Sequence, residues 1–320
     1  MSFPGKIKKA MFSSENRTVR KVGGGLYRAF LSFNNSRFMD FFHYKPYQDD
    51  RKYLENEFVR RFGVRPDFDD PKTFNEKRNW CKLYDRRDVY TEMVDKYRAK
   101  EFIEKRCGSG YTAKLLGVWD DPAKIDFDAL PEQFVLKANH AGGIFVCRDK
   151  AAFDREGAVR KLKKQLRHDY YLPEREWPYK NVKRKVIAEE YLGDALTEYK
   201  NLCFNGKVVY TFAYVNDPSD GKKPQNHFCG AYDREWNKTE LVNDYHVLDR
   251  TVEKPARHEE MLRLAEKLAE GTSFLRVDCF CIGDRLCIGE MTFSPTGGFM
   301  AFNDGWDERL GALETLPERT

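Results

Sequence analysis

Residues 274–298, FLRVDCFCIGDRLCIGEMTFSPTGG, carry the strongest structural signal in this chain. They predict two strands, at about 273–282 and 286–293, because apolar and polar residues alternate on both sides of a Gly-Asp turn signal. In the first strand this alternation puts Arg276 and Asp278 on one face and apolar residues on the other. One face of the strand is therefore charged, and the other face belongs to the core.

The register of this hairpin predicts a pair of facing carboxylates. With a three-residue loop at 283–285, Asp278 lies opposite Glu290 and Arg276 lies opposite Thr292. Like charges directly opposite each other are destabilising, so the pair either shares a proton or holds a cation such as Mg²⁺, with Arg276 beside it as a phosphate partner. Two alternatives stay open: an Arg-Asp surface ion pair with an unrelated Glu, or a two-residue loop that turns Glu290 away.

A second stretch, FVLKANHAGGIFVC at 134–147, predicts a strand, a loop and another strand. Gly142 and Gly143 let the backbone amides of the loop approach a phosphate closely, and Lys137 would add a point charge. An ordinary hairpin with a glycine turn is the alternative. Lys200, beside Glu198 on the strand before an Asn-Gly turn, is open to a functional and a structural interpretation in the same way.

Helices precede strands in this chain. Helical patterns cover about 51–62, 73–84 and 88–106, and Asp88 is the predicted N-cap of the last. Further strands are predicted at 112–118, 185–192, 199–204 and 207–214, and further helices at 151–170 and 256–270. This order predicts an α+β fold rather than a Rossmann sheet, and neither GxGxxG nor GxxxxGK[ST] occurs.

Composition excludes several classes of protein. The 320 residues are 41% hydrophobic and 14% aromatic, which predicts a packed globule rather than a disordered chain. No apolar run approaches the length of a membrane span and no signal-peptide core is present, so we expect a cytoplasmic protein. The eight cysteines contain no CxxC pair and the six histidines are scattered, which disfavours zinc and predicts reduced core thiols.

The basic charge is concentrated at the N-terminus. Residues 1–28 carry seven Lys or Arg against Glu15, so this segment contributes +6 to a net charge of +5. The remainder is close to neutral, and general nucleic-acid binding is disfavoured. Residues 1–50 mix these cations with aromatic residues, which suggests an arm that contacts the inner face of the membrane. The alternative is an extension that packs its aromatic residues on the body of the protein.

In combination and in order, these motifs resemble the ATP-grasp superfamily. The matching features are a strand lysine with a glycine loop, a Glu-Glu strand, Arg-x-Asp, and Gly-Glu-x-Thr-Phe-x-Pro-x-Gly-Gly. Within the superfamily the chain is similar to the TupA-like branch, which is linked to teichuronopeptide, capsule and other bacterial surface-polysaccharide synthesis. The runs that carry this similarity are KTFNEK (72–77), KLYD (82–85), DKY (95–97), LGVW (116–119), FVLKANH (134–140), REW (175–177), IAEEYL (187–192), CFNGK (203–207) and RVD (276–278).

The resemblance implies an ATP-dependent carboxylate-amine ligase. In such enzymes ATP phosphorylates a carboxylate, and an amine attacks the acyl phosphate to give an amide, ADP and phosphate. The resemblance implies that Lys96 and Lys137 hold ATP phosphates and that Arg276 contacts the transferring phosphoryl group, with Arg276 and Lys137 as catalytic cations. The other nucleotide-binding residues that it implies are Asn139, His140, Gly142, Gly143 and Lys200, the hinge residues Glu189, Glu190 and Leu192 at adenine, and Glu198 at the ribose.

The resemblance also implies a metal site and a division of the chain. Asp278, Glu290 and Thr292 are the implied ligands of two Mg²⁺ ions. Many ATP-grasp enzymes carry Asn where Thr292 stands, so here the second ion is held differently or a water replaces one ligand. The expected parts are a basic, aromatic arm (1–50), a helical region (51–110), a small ATP-grasp subdomain with a phosphate-covering loop (111–192) and a large subdomain with the metal site (193–320).

For substrates, the branch implies a sugar acid, such as a hexuronate in a capsule or a lipid-linked glycan, joined to an amino acid or amine. Aromatic residues can stack on sugar rings and cations can meet carboxylates. Candidate contacts are Arg175, Trp177, Tyr179, Lys180, Asn226, His227, Tyr232, Trp236, Gly297 and Gly298. Lid packing and a solvated basic helix are the structural alternatives.

Two competing functions stay open at this point. One is a nucleotide-binding, membrane-associated protein without catalytic activity. The other is a glycosyltransferase of polysaccharide assembly, although the sequence shows no clear DxD motif at the end of a strand.

The arm gives a first prediction. Deleting residues 1–42 should weaken binding to anionic lipid vesicles, because the arm carries most of the excess positive charge together with aromatic side chains. Vesicle co-sedimentation measures this, and ATP turnover in solution serves as the control, which the deletion should spare. Equal vesicle binding by the full chain and the truncated chain would rule out the membrane role.

Overall fold

The computed structural model describes residues 49–194, 197–216, 226–243 and 251–320, without the side chains of residues 216, 226 and 227. The predicted arm therefore lies outside the described residues as far as residue 48. The described part begins with the helices α1 (Asp50–Phe62), α2 (Phe74–Tyr84), α3 (Val89–Val94) and α4 (Arg98–Cys107). The Asp49 side chain caps α1, and a capping box of Thr73 and Glu76 begins α2.

The single helix predicted over 88–106 is wrong, because the chain breaks between α3 and α4. Asp95 ends α3 in an extended conformation, and its carboxylate accepts hydrogen bonds from the backbone N–H groups of Tyr97 (2.9 Å) and Arg98 (3.4 Å). Asp88, the predicted N-cap, makes no side-chain capping bond. The break places Lys96 in the connection between two helices rather than inside one.

The first sheet has four strands in the order β1-β4-β2-β3, and every neighbouring pair is antiparallel. Its elements, in chain order, are β1 (Leu115–Trp119), β2 (Phe134–Ala138), β3 (Ile144–Cys147), α5 (Arg155–Arg167), the short helix α6 (Tyr171–Glu174) and β4 (Val186–Glu190). A 3₁₀ turn, Trp177–Tyr179, lies between α6 and β4. Leu162 of α5 shares a buried apolar cluster with Phe134 and Leu136 of β2. We call this the small sheet.

The second sheet has five antiparallel strands in the order β7-β6-β5-β8-β9. Its elements are β5 (Thr197–Phe204), β6 (Lys207–Asn216), β7 (Asn226–Tyr232), α7 (His258–Ala269), β8 (Phe274–Ile282) and β9 (Arg285–Thr292), and a last helix, α8 (Trp306–Ala312), follows. Asn205 and Gly206 join β5 to β6 with φ values of 48° and 78°, as the Asn-Gly signal predicts. We call this the large sheet.

The two faces of the large sheet are both covered. Leu275 and Val277 of β8 share one buried cluster with Leu264 of α7, whereas Phe274 shares a second cluster with residues of α2 and α8. The strand alternation predicted for β8 is therefore confirmed on its apolar side. Together the helices and the two antiparallel sheets form an α+β architecture, as predicted.

The turn between β8 and β9 differs from the prediction. Its loop is Gly283-Asp284, one residue shorter than predicted, and Ile282 pairs directly with Arg285. An uninterrupted ladder from this turn would put Glu290 on the opposite face from Asp278, because the side-chain period of a strand is two residues.

A β-bulge restores the predicted pairing. The register shifts immediately after Asp278, so that Asp278 still lies opposite Glu290. Gly289 is the extra residue, and a Cβ atom there would lie 2.5 Å from Cε2 of Phe280. The two carboxylates therefore face each other because of a bulge, which the prediction from the loop length did not include.

All eight cysteines carry free thiols, and six of them are buried, as expected for reduced core residues. Among the described residues, no helix has the length and apolar character that crossing a membrane would require.

The bulge gives a prediction about stability. Gly289→Ala should lower the free energy of unfolding by about 1–3 kcal/mol, because the added methyl group collides with the ring of Phe280. Urea denaturation measures this. In a Phe280→Ala background the same Gly289→Ala change should cost less, since the ring is gone. An equal cost in both backgrounds would contradict the steric explanation.

Candidate active site

A charged cluster lies on one face of the β8-β9 hairpin. The Arg276 guanidinium donates to both carboxylate oxygens of Asp278, each at 2.7 Å, and to the Thr292 hydroxyl at 3.2 Å. Asp278 is only 1% exposed. The Arg-Asp ion pair left open by the sequence is therefore present, and the bulge brings Glu290 to the same place.

Glu290 is neutralised by a residue from far away in the sequence. Lys96, in the break between α3 and α4, lies 3.0 Å from the Glu290 carboxylate. Burial raises the pKa of Glu290, but the charges of Lys96 and Arg276 outweigh burial and lower this pKa to about 2. Glu290 is consequently ionised, which does not support the alternative that it shares a proton with Asp278.

β5 adds a third cation to the cluster. Lys200 lies directly opposite Asp278 in the sheet, with its Nζ atom 3.3 Å from that carboxylate and 3.1 Å from Glu198. Burial raises the pKa of the Glu198 carboxyl, and the nearby charge of Asp278 acts in the same direction against that of Lys200. Lys96, Lys200 and Arg276 thus converge on carboxylates of one sheet face.

The small sheet carries a second buried cluster. Lys137 lies 2.5 Å from one oxygen of Glu189, and Lys100 lies 2.6 Å from the other. Burial raises the pKa of Glu189, but these two cations lower it below the ordinary carboxyl value. Sequence reasoning missed Lys100. The available signal was its position four residues after Lys96, which in an unbroken helix would place both lysines on one face. In the structure the helix is broken there, and the two lysines pair with different sheets.

The loop after Lys137 is anchored by hydrogen bonds of Asn139. This residue is fully buried; its amide donates to Asp95 (2.8 Å), and its amide oxygen accepts from the N–H of Lys185 (2.8 Å). The Asn139 carbonyl also accepts from the Lys96 N–H at 3.0 Å. Asn139 therefore positions Lys96 relative to the loop, and its own side chain makes its hydrogen bonds inside the protein.

The remaining loop residues pack against the segment that follows α5. Burial, and then the charge of Arg184, lower the pKa of His140 to about 4, so the ring is neutral near pH 7. The Gly142 N–H donates to the Tyr170 hydroxyl oxygen at 3.3 Å, and Gly143 has a φ of 88° that glycine adopts readily. The loop is thus a glycine-containing hairpin that Tyr170 contacts at Gly142, and both glycines are exposed.

At the end of β4, the side chains of the predicted hinge residues Glu189 and Glu190 bind other groups of the protein. Glu190 accepts from Arg285 (2.7 Å) and from the N–H of Lys114 (2.6 Å), and these bonds lower the pKa of its carboxyl. Leu192 follows the strand. Binding of adenine by the backbone here stays a prediction.

Several predicted substrate contacts are packed inside the protein. Arg175 is 2% exposed, forms an ion pair with Asp50 (3.2 Å) and lies over the Tyr53 ring, so it fastens α1 to the segment after α6. Tyr232 is 1% exposed and stacks on the partly buried Trp236, with 4.4 Å between the ring centroids. For these three residues the structure supports the packing alternative, because Arg175 and Tyr232 are buried and Trp236 packs against the core.

The other predicted contacts fall into two groups. Trp177 is buried and Lys180 lies 5.1 Å over the ring of Tyr171, both in the segment that follows α6. The side chains of Asn226 and His227 lie outside the described residues. Substrate contact by these four residues stays a prediction.

Gly297 and Gly298 have a packing role. Their φ values are 64° and 78°, and a Cβ atom on Gly297 would lie 2.8 Å from Glu174, whereas one on Gly298 would lie 3.1 Å from Cε of Lys82. The Gly-Gly pair is therefore required for close approach of α2 and α6 to the loop after β9.

Sequence reasoning also missed two buried charges beside this loop. Lys82 of α2 is 2% exposed and donates to Asn79 Oδ1 (2.8 Å) and to the carbonyl of Gly297. Glu176 is 8% exposed. Burial lowers the pKa of Lys82 to about 8 and raises the pKa of Glu176 to about 8. No periodicity or motif in the sequence brings these two residues together.

The carboxylate pair has the chemistry of a Mg²⁺ site. Asp278, Glu290 and the Thr292 hydroxyl offer hard oxygen donors on two neighbouring strands, and Mg²⁺ beside a nucleotide uses few protein ligands with phosphate oxygens and water as the rest. The three cations around them would hold phosphate oxygens. A small pocket next to Arg276 and Lys200 is lined further by Leu202, Phe212, Tyr214, Pro295, Thr296 and Met300.

A protein-family comparison covers most of this architecture. The family model described as TupA-like ATPgrasp matches residues 76–314, which include α2 to α4, both sheets and the charged hairpin. A comparison with curated proteins gave no significant match.

Solved structures of ligases are similar at low sequence identity. D-alanine–D-alanine ligase from Bacillus anthracis complexed with ATP is 15% identical with a TM-score of 0.38, over 63% of this chain and 54% of its own. L-amino acid ligase from Bacillus licheniformis is 11% identical with a TM-score of 0.46, over 78% and 57%. D-alanine–D-alanine ligase from Helicobacter pylori is 15% identical with a TM-score of 0.41, over 70% and 61%. The chain therefore spans less than two thirds of the length of these proteins.

The low pKa of Glu290 gives a prediction about pH. A carboxyl with a folded-state pKa of about 2, against an ordinary 4.5, stabilises the fold above pH 4.5 and loses this contribution as the pH falls towards 2. Lys96→Met should raise that pKa, so its free energy of unfolding should fall less than the parent's between about pH 5 and pH 3.

Urea denaturation at the two pH values measures this difference. Lys105→Met is the matched control, because Lys105 pairs with Glu101 on the surface, with side chains 72% and 73% exposed, where an ion pair contributes little. If Lys96→Met and Lys105→Met show the same acid dependence as the parent, the assignment of Lys96 to Glu290 is wrong.

Proposed function

The chain belongs to the TupA-like ATPgrasp family and has its α+β ATP-grasp fold, and on that premise we propose that it is an ATP-dependent carboxylate-amine ligase. In the proposed reaction a carboxylate oxygen of the acid substrate takes the γ-phosphoryl group of ATP, and ADP leaves. The nitrogen of the amine then attacks the acyl carbon, the bond to phosphate breaks, and the amide, phosphate and one proton are released. The family and fold are those of ATP-dependent ligases that form carbon–nitrogen bonds.

One observation carries the proposal: Asp278 and Glu290 face each other across the hairpin while Lys96, Lys200 and Arg276 converge on them. Phosphoryl transfer is catalysed mainly by positioning and by neutralising phosphate charge, and it needs little covalent chemistry from the protein. A sheet face with this many paired charges suits that task. When a nucleotide binds, the cations can exchange carboxylate oxygens for phosphate oxygens.

The metal and the phosphate contacts follow from the same arrangement. We propose that Asp278 and Glu290 hold Mg²⁺, with Thr292 as a further oxygen donor, and that bound Mg²⁺ neutralises phosphate charge. Arg276 contacts the transferring phosphoryl group, and Lys96 and Lys200 hold phosphate oxygens from the large-sheet side.

The small sheet completes the proposed nucleotide site. Lys137 holds phosphate from the opposite side, and the loop with Gly142 and Gly143 covers the phosphates with its backbone. The backbone at the end of β4, up to Leu192, meets adenine, and Glu198 accepts from the ribose. In this proposal residues 111–192 and 193–320 act as the two halves that enclose ATP.

For the substrates, we propose a hexuronate or similar sugar acid and an amino acid or amine, in the synthesis of a bacterial surface polysaccharide. The pocket beside Arg276 and Lys200 supports an anionic substrate, because two cations and the ring of Tyr214 line it. Contact with the inner face of the membrane through residues 1–42 would bring the enzyme to a lipid-linked acceptor.

The test is release of ADP from Mg·ATP with a panel of hexuronic acids crossed against amino acids. ADP release should require both an acid and an amine, and Glu290→Gln should abolish it, because the variant removes a charge that the phosphates and Mg²⁺ need. Glu260→Gln, in α7 at 2.7 Å from the Tyr111 hydroxyl, is a matched Glu-to-Gln control and should keep the parent activity.

Substrate-dependent ADP release that Glu290→Gln leaves intact would contradict the proposed site. Binding of ATP with no ADP release for any pair would favour a nucleotide-binding protein without ligase activity. Binding of a nucleotide sugar in preference to ATP would favour the glycosyltransferase.

A further inference from the structure

Glu176 is a buried acidic residue near the charged cluster that the proposed nucleotide site does not use. It lies between α6 and the Trp177–Tyr179 turn and is 8% exposed. Arg175, the residue before it, has a left-handed backbone with a φ of 54°. Within the described part of the chain, the Glu176 carboxylate has no hydrogen bond and no ion pair.

The charged side chains around Glu176 all have other partners. The charges that act on it are those of Lys82, Glu174, Glu290 and Arg276. Lys82 donates to Asn79 and the Gly297 carbonyl, Glu174 accepts from Arg61, Glu290 pairs with Lys96, and Arg276 pairs with Asp278. Glu174, Glu290 and Arg276 each have an ion-pair partner, whereas Lys82 donates only to neutral groups and is the largest charge that acts on Glu176.

Among the described residues the Glu176 carboxyl accepts no hydrogen bond, so a donor or a cation from outside the fold can bind it without displacing a protein partner. Burying an unpaired ionised group is costly, and the protein responds by raising the pKa of Glu176 to about 8, with burial as the main cause. A positively charged ligand would remove that cost. Glu290 and Arg276, which act on Glu176 electrostatically, belong to the face where the acyl phosphate would form.

Resting on the proposed ligase activity, we propose that Glu176 binds the ammonium group of the amine substrate and holds its nitrogen beside the acyl phosphate, which the nitrogen attacks after the ammonium group has released one proton to solvent. An amine fits better than an acid, because a second carboxylate at Glu176 would add negative charge next to Glu174 and Glu290. The Arg276 and Lys200 pocket, with its two cations, is left for the acid substrate. Each substrate thus meets the opposite charge.

An assay with an uncharged nitrogen nucleophile can measure phosphoryl transfer independently of amine binding at Glu176. Hydroxylamine is uncharged near neutral pH and converts an acyl phosphate to a hydroxamate without an ammonium-binding group. We would assay Mg·ATP with D-glucuronate or D-galacturonate, using hydroxylamine in one series and L-alanine or L-lysine in the other. Hydroxamate, amide and ADP are measured for the parent, Glu176→Gln and Glu176→Ala.

Both Glu176 variants should raise the KM for L-alanine or L-lysine by about 10- to 100-fold, the usual effect of losing a charged hydrogen bond. They should keep the parent's rate of hydroxamate formation and its KM for ATP. Glu174→Gln is the matched control in the same segment, since Arg61 already pairs with that carboxylate at 2.7 Å, and its amine KM should stay unchanged.

Each outcome decides between the ideas. Hydroxamate formation by the parent with an unchanged amine KM in both Glu176 variants overturns the amine site and leaves the ligase standing. Equal loss of hydroxamate and amide in both variants also overturns it, because Glu176 would then support the fold or the phosphoryl transfer. If the parent forms neither product with either acid, the proposed ligase reaction on hexuronates fails, and the amine site fails with it.

Discussion

Two carboxylates placed directly opposite each other on β8 and β9 impose the main constraint on this protein. Asp278 is almost fully buried and Glu290 faces it across the hairpin, so their repulsion must be offset by cations from other elements. Arg276 comes from the same strand, Lys200 from the neighbouring strand, and Lys96 from a helical connection nearly two hundred residues earlier. The packing of these elements around the hairpin places the three cations beside the two carboxylates.

The segment around α4 links the two sheets through charge. Lys96, just before the helix, pairs with Glu290 of the large sheet, and Lys100, within it, pairs with Glu189 of the small sheet. Asp95 breaks the preceding helix and binds the Asn139 amide, which ties the same segment to the glycine loop. One short stretch of chain thus holds both halves of the proposed nucleotide site, and its departure from regular helix has a structural purpose.

In the loop after β9, next to the charged face of the large sheet, two glycines serve packing. Gly297 and Gly298 let the loop after β9 approach Glu174 and Lys82 closely, which buries Lys82 and encloses Glu176. The proposed nucleotide site is built mainly from the two sheets. The segment after α5 and the helix α2 lie next to it, and they contain Glu176, a buried carboxyl with no hydrogen bond among the described residues.

The sequence alone determined what depends on a few neighbouring residues. The Asn205-Gly206 turn, the capped starts of α1 and α2, the apolar side of β8 and the α+β order all follow from local preference and periodicity, and the ordered motifs identified the family. The pairing of Asp278 with Glu290 was also predicted, although through the wrong loop length. Only the tertiary structure decided the bulge at Gly289, the pairing of Lys100 with Glu189, the burial of Arg175, the stacking of Trp236 on Tyr232, and the burial of Glu176. The physical reason is that a turn or a strand face is set by residues next to each other in the chain, whereas a buried charge takes its partner from whichever distant element the packing brings within a few ångströms.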